Sequence, residues 1–223
     1  MLLLDQVLST GDLETILTRI AAVPIRDGGN TAGGRTAKAK NNREFALDHE
    51  GTEAVGTLVL NALRRNADFR AYVQPLKIRM PIISVYDPGM AYGDHLDAPV
   101  MGEGPIHTTR TDLSVTVFLS EPGSYDGGEL ILRAPTGERS VKLPAGGAVC
   151  YPTAYVHRVT PVTRGRRLAV VTWVQSRVRD HEERAILYDL TCAIHALPED
   201  VDDGQRLRLN HVYTRLMQKW TEA

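Results

Sequence analysis

Between Pro75 and Ser176 the chain is cut into short apolar runs by closely spaced turn signals, and this rhythm limits what it can build. Asp87-Pro88-Gly89, Gly127-Gly128, Pro135-Thr136-Gly137, Pro144-Ala145-Gly146-Gly147 and Thr163-Arg164-Gly165 each interrupt the pattern. Gly and Pro at such points favour chain reversal over continuation. Between them lie Ile78 to Val85, Leu113 to Leu119, Leu130 to Leu132, Ser140 to Leu143, Ala148 to Tyr151, Val156 to Val162 and Arg167 to Gln175. Leu113 to Leu119 alternates polar and apolar, as a half-covered strand does. Many short strands joined by Gly/Pro turns make a sandwich or a barrel.

Helical periods flank this region. Leu13, Ile16, Leu17 and Ile20 form one stripe, with Ser9 or Thr10 as N-cap and Asp12 and Glu14 in the first turn. Side-chain oxygens and negative charge both favour a helix start there, so a helix is expected from Thr10 to Ala22. Val55, Leu58, Val59 and Ala62 mark a second helix ending near Asn66. After Arg177, Ile186, Leu187, Leu190, Ala193 and Ile194 form a third stripe, and Leu209, Val212, Tyr213, Leu216 and Trp220 a fourth. The expected fold is α+β with a mainly β core: a domain over 1–177, with helices within 10–66 and strands over 76–177, then a helical appendage over 178–223. Apolar stripes beyond a β core that reads as complete suggest a homodimer through the C-terminal helices. Asp27 to Asn42 has no apolar period and carries Lys38 and Lys40, with Arg26 just before it and Arg35 within. It reads as a solvated loop, or as a lid ordering over a substrate.

Composition removes several function classes. A chain of 223 residues and 24.6 kDa holds one cored domain and little more. Its net charge of -1 gives no footprint for nucleic acid or an anionic membrane. Cys150 and Cys192 form no C-x-x-C pair, so neither a disulfide framework nor a thiolate zinc cluster is indicated. The opening Met1-Leu2-Leu3-Leu4 is too short for a signal-peptide core, and no run reaches membrane-span length. A soluble cytoplasmic protein is expected.

Chemistry concentrates around Tyr92-Gly93-Asp94-His95-Leu96-Asp97. In an extended chain residues i and i+2 project to one side, so His95 and Asp97 can aim an imidazole and a carboxylate at one point. His157, opening the strand after Ala148 to Tyr151, is the candidate third ligand. Two histidines and a carboxylate on one face leave open positions, the arrangement of non-haem Fe(II) oxygenases. A zinc hydrolase can use the same residue types but keeps essentially one position for water.

Arg167 separates these readings. It follows His157 by ten positions across the turn Thr163-Arg164-Gly165, so a hairpin would set the two on neighbouring strands at different depths of one cavity. 2-Oxoglutarate chelates metal through its keto-acid end and needs a fixed cation deeper in for its distal carboxylate. A guanidinium fork supplies one.

These residues resemble the prolyl/lysyl-hydroxylase-type 2-oxoglutarate oxygenases, and more closely the bacterial PKHD-type hydroxylase family. The likeness extends through Arg110-Thr111-Asp112-Leu113-Ser114, Ser124-Tyr125-Asp126-Gly127-Gly128-Glu129-Leu130, Val141-Lys142-Leu143-Pro144-Ala145-Gly146, His157 to Gly165 and Trp173-Val174-Gln175-Ser176. It covers most of the chain and is weakest in 27–42 and beyond Ala196. The resemblance implies a double-stranded β-helix, a distorted jelly roll, with helices packed outside. It implies Fe(II) on His95, Asp97 and His157, 2-oxoglutarate on Arg167, and ascorbate as a reductant. The implied reaction hydroxylates an amino-acid side chain or a small molecule while 2-oxoglutarate is decarboxylated to succinate. A cupin-like metalloenzyme without 2-oxoglutarate, and a non-catalytic iron, oxygen or 2-oxoglutarate sensor, are the alternatives on the same fold.

Other residues are weighed around this site. Tyr86 takes the place of a co-substrate-binding tyrosine in the resembled prolyl hydroxylases. Ser114 and Thr116 share a strand face and could donate to 2-oxoglutarate. Tyr92 could line the substrate pocket or cover the loop. Trp173, on the Arg167 face, could wall that pocket or fill the core. Gly127-Gly128 reads most simply as a bulge. Alternation turns Arg158 away from His157. Only one of Arg166 and Arg167 can face inward, and the family's spacing selects Arg167. His49, His107, His181, His195 and His211 read as non-ligands, with His107 in a loop near the metal.

Overall fold

A computed structural model describes residues 1–31, 33, 38–104 and 108–222. The expectations for Arg35 and His107 lie outside the described residues.

Two antiparallel sheets carry the molecule. The larger contains β1 (Leu2–Leu4), β2 (Ile25–Asp27), β4 (Arg43–Phe45), β5 (Pro75–Ile78), β6 (Ile82–Tyr86), β10 (Leu113–Phe118), β13 (Ala148–Pro152) and β15 (Arg167–Ser176). Its order is β1-β13-β10-β15-β6-β4-β2, with β5 also on β15. The smaller runs β12 (Gly137–Val141), β11 (Leu130–Ala134), β14 (Val156–Val159), β7 (Ala91–His95) and β3 (Lys40–Asn41). A separate ribbon pairs β8 (Val100–Met101) with β9 (Thr109–Arg110). The expected mainly β, jelly-roll architecture is what forms.

Two apolar clusters explain why both sheets are needed. Val115, Val117, Ile83 and Val170 pack outward against Ile16, Val55, Leu63 and Phe69 of the helices. Tyr86, Phe118, Tyr151, Leu130, Leu132 and Val159 fill the space between the sheets. The alternation in β10 therefore has a different meaning from a half-exposed strand. All six residues are buried, and the polar face with Ser114 and Thr116 turns inward.

The first helix, α1 (Thr10–Ile20), is closed by a Ser9–Asp12 capping box. The second, α2 (Glu50–Arg65), ends at Asn66 as expected. Asn66 then caps a further helix, α3 (Ala67–Val73), by accepting from the Phe69 amide at 2.8 Å. Gln74 ends it in the left-handed region at φ 47°, immediately before Pro75 starts β5.

Two expectations are corrected. The 27–42 segment is partly ladder: β2 pairs with β4, and Lys40 of β3 pairs with Tyr92 of β7. The polar composition hid these strands because each is only two or three residues long. The second correction concerns the turn after Val162. β14 and β15 do not pair as a hairpin; β14 lies between β11 and β7, whereas β15 lies between β10 and β6. The chain crosses from one sheet to the other there, so His157 and Arg167 stand on opposite walls.

Beyond Arg177, α4 (His181–His195) sets Tyr188 edge-to-face on Tyr72 of α3, with centroids 5.3 Å apart. Buried Arg184 donates to the Val178 and Arg179 carbonyls, and Arg110 pairs with Glu222 at 2.8 Å. The last helix, α5 (Asp203–Trp220), buries none of its residues fully. Among the described residues no helix is long and apolar enough to cross a membrane.

Candidate metal and co-substrate site

His95 is the last residue of β7, and His157 faces it directly across the β7–β14 ladder. Asp97 follows two residues later, beyond the strand. One ligand atom from each of the three residues lies within 4.8 Å of the others, and no other cluster of metal-binding residue types occurs among the described residues. The Nε2 atoms lie 3.8 Å (His95) and 3.7 Å (His157) from Asp97 carboxylate oxygens.

Both imidazoles are oriented from behind. His95 Nδ1 lies 2.8 Å from the Gly93 carbonyl and His157 Nδ1 lies 3.0 Å from the Tyr155 carbonyl. A carbonyl only accepts, so each Nδ1 carries the proton and each Nε2 presents its lone pair. Burial and the neighbouring His157 push the His95 pKa down to about 4, which keeps the ring neutral. Tyr92 stacks on His95, with ring centroids 3.6 Å apart and planes at 14°.

The three ligand candidates open onto a cavity of about 1210 Å³ between the sheets, which Tyr86, Tyr92, Thr116, Arg167 and Trp173 also line. Arg167 is 2% exposed, and among the described residues no carboxylate pairs with it. Among the described residues its Nε has no hydrogen-bond partner. Its neighbours in sequence are all engaged elsewhere: Arg158 with Glu138 at 2.9 Å, Arg164 with Asp126 at 2.6 Å and Arg166 with Asp87 at 2.6 Å. A buried guanidinium without an ion-pair partner is costly, and the cavity beside it has room for an anion.

The walls around Arg167 fit that role. Its Cζ lies 5.1 Å from the Tyr86 ring centre and 5.6 Å from that of Phe118. Tyr86 is the direct cross-strand partner of Arg167. Burial raises the Tyr86 phenol to about 12 and pushes Tyr151 well up, so both remain neutral hydroxyls. Gly127 and Gly128 do more than bulge: both have positive φ, 70° and 67°, and a Cβ on Gly128 would come within 3.0 Å of Arg167 Cδ. The glycines let the backbone close over the guanidinium stem.

Two residues sit differently from the sequence reading. Ser114 donates to Asp97 Oδ2 at 2.7 Å rather than facing the Arg167 end of the cavity. Trp173 lines the cavity but also donates from Nε1 to the same oxygen at 2.8 Å. Neither contact was anticipated, because neither residue is near Asp97 in sequence. The carbonyls behind the histidines were also missed, although each lies two residues before its histidine and so carried a local signal.

Residues 81–175 match the 2OG-Fe(II) oxygenase superfamily. A PKHD-type hydroxylase of Saccharophagus degradans is 40% identical over 225 residues and covers 100% of both chains. Among solved structures, a Pseudomonas putida prolyl-4-hydroxylase aligns with a TM-score of 0.53 at 20% identity, over 78% of this chain and 91% of its own. HygX of Streptomyces hygroscopicus, with nickel, 2-oxoglutarate and hygromycin B bound, aligns with a TM-score of 0.54 at 13% identity, over 77% and 80% of the two chains. Those two likenesses concern the fold; the end-to-end sequence match is what places the protein. The chain belongs to the PKHD-type hydroxylases of the 2OG-Fe(II) oxygenase superfamily and is an enzyme of that class.

Proposed function

We propose that this enzyme hydroxylates a C–H bond of an amino-acid side chain or small molecule with dioxygen, while 2-oxoglutarate is decarboxylated to succinate. The observation that carries the co-substrate is Arg167: a buried cation that pairs with no carboxylate among the described residues, in the same cavity as a His-Asp-His cluster. Two imidazoles and a carboxylate suit Fe(II), and among the described residues no thiolate joins the cluster to favour a softer metal. Bound there with 2-oxoglutarate, Fe(II) supplies the oxidising chemistry that dioxygen activation requires. Ascorbate enters as an external reductant.

The protein's own work is binding, orientation and exclusion of water. Arg167 receives the distal carboxylate of 2-oxoglutarate through a charge-assisted pair. Tyr86 and Thr116 supply neutral hydroxyls beside it. Tyr92 holds the His95 ring by stacking. Leu47, Met80, Leu96 and Val100 line the outer cavity and are each at least 50% exposed, so an incoming substrate meets an apolar rim. A cupin-like reaction without 2-oxoglutarate leaves Arg167 with nothing to bind.

Succinate release is the direct assay. Protein supplied with Fe(II), ascorbate, 2-oxoglutarate and oxygen should form succinate, and Asp97→Ala should abolish it. Wild-type turnover that proceeds without 2-oxoglutarate would sink the proposal.

A further inference from the structure

Asp97 lies two residues beyond the end of β7, so no ladder hydrogen bond fixes the backbone that carries it. Its carboxylate is nevertheless held. Trp173 Nε1–H and Ser114 Oγ–H donate to Oδ2 at 2.8 and 2.7 Å, and Ser114 Oγ lies 3.1 Å from Thr153 Oγ1. Ser114 and Trp173 are direct cross-strand partners on β10 and β15 of the larger sheet. His95 and His157 belong to the smaller sheet. Asp97 is therefore the one member of the cluster whose orientation is set from the opposite wall.

We infer that Ser114 and Trp173 are positioning residues for the metal centre. They clamp Oδ2, which lies 3.7 Å from His157 Nε2, whereas Oδ1, 3.8 Å from His95 Nε2, accepts no hydrogen bond among the described residues and keeps its lone pairs for the metal. Two donors on one oxygen also draw charge from the carboxylate and favour binding through a single oxygen. A carboxylate using both oxygens would take a metal position that the proposed co-substrate or dioxygen needs. The clamp further locks the separation of the sheets, because one side chain from each wall must meet. This inference rests on the proposed Fe(II)/2-oxoglutarate reading of the same cavity.

The test uses Co(II) as probe on the full-length protein without added 2-oxoglutarate. Its affinity and its ligand-field absorption report the donors and their geometry, independently of turnover. Trp173→Phe keeps an aromatic ring but removes the donor; Ser114→Ala removes the hydroxyl with little change in volume. Each should weaken Co(II) binding by roughly 10–100-fold, the usual cost of losing such a support, and should alter the absorption envelope. Their effects should be non-additive in the double variant, since both act on one oxygen. Ser114→Thr retains the hydroxyl and should bring affinity and spectrum back to the wild-type range. Thermal unfolding of each variant identifies any that fails to fold; the Ser114 pair alone then decides. Wild-type binding with unchanged affinity and spectrum in Trp173→Phe and Ser114→Ala overturns the inference and leaves the metal reading intact. Wild-type protein that takes up no Co(II) overturns the metal reading, and the inference with it.

Discussion

Arg167 shows how a single side chain can be read from its lack of partners. Three nearby arginines each pair with a carboxylate, while Arg167 is buried and pairs with none among the described residues. An uncompensated buried charge destabilises the fold that holds it, whereas an apolar replacement of similar length does not. Arg167→Met should therefore leave the ligand-free protein with an unchanged or higher Tm. The same variant should lose the Tm increase that 2-oxoglutarate gives the wild type, and its KM for 2-oxoglutarate should rise by about 10–100-fold, from a charged hydrogen bond worth about 1.5–3 kcal/mol. A marked drop in ligand-free Tm would show that the guanidinium is structural. Cysteine gives a second check at this scale. Burial raises the Cys150 thiol to about 12, while Cys192 is exposed. A thiol reagent should modify Cys192 alone in the native protein and both residues after unfolding.

Individual residues also show what the sequence could carry. The His95-x-Asp97 spacing is local, so it was legible; Arg167 rested on the resembled family's spacing, since the hairpin expected to set it beside His157 does not form. The contacts of Ser114 and Trp173 with Asp97 were not legible. They depend on which strands pair and on where two sheets meet, and residue spacing carries neither.

At the scale of elements, the longer strands between Leu113 and Ser176 were legible, the two- and three-residue strands ahead of Pro75 were not, and strand partnership was not. The turn after Val162 reads as a hairpin, yet it carries the chain between sheets. Gly127-Gly128 lies against that crossing: a Cβ on Gly127 would lie 1.9 Å from the Pro161 carbonyl oxygen. Backbone there has no room to yield, so Gly127→Ala should fail to fold. Gly128→Ala meets the side chains of Arg167, Tyr125 and Val162 instead. It should fold with a loss of about 1–2 kcal/mol from its left-handed backbone, and should raise the KM for 2-oxoglutarate by displacing Arg167. Denaturant unfolding and steady-state kinetics separate the two effects; an unchanged KM would show that the guanidinium tolerates the shift. The short helix Ala67–Val73 was missed for a related reason, since a seven-residue helix offers too few turns for a stripe.

For the whole molecule, period and turn chemistry separate helical from strand-rich stretches, yet β1 to β4 lie ahead of Pro75 and also belong to the two sheets. The C-terminal helices are tied to the core by Tyr72–Tyr188 and Arg110–Glu222, and they leave Leu207 and Val212 exposed on α5. If the C-terminal helices pair two chains, sedimentation at micromolar concentration gives twice the chain mass of 24.6 kDa; a single-chain mass removes the pairing. The central claim concerns the space between the sheets, where a His-Asp-His cluster and an unpaired arginine share one cavity. Anaerobic addition of Fe(II) and 2-oxoglutarate tests it most directly. The account predicts a weak visible charge-transfer band that needs both components and is lost in Asp97→Ala. Fe(II) binding without any such band at millimolar 2-oxoglutarate would contradict it.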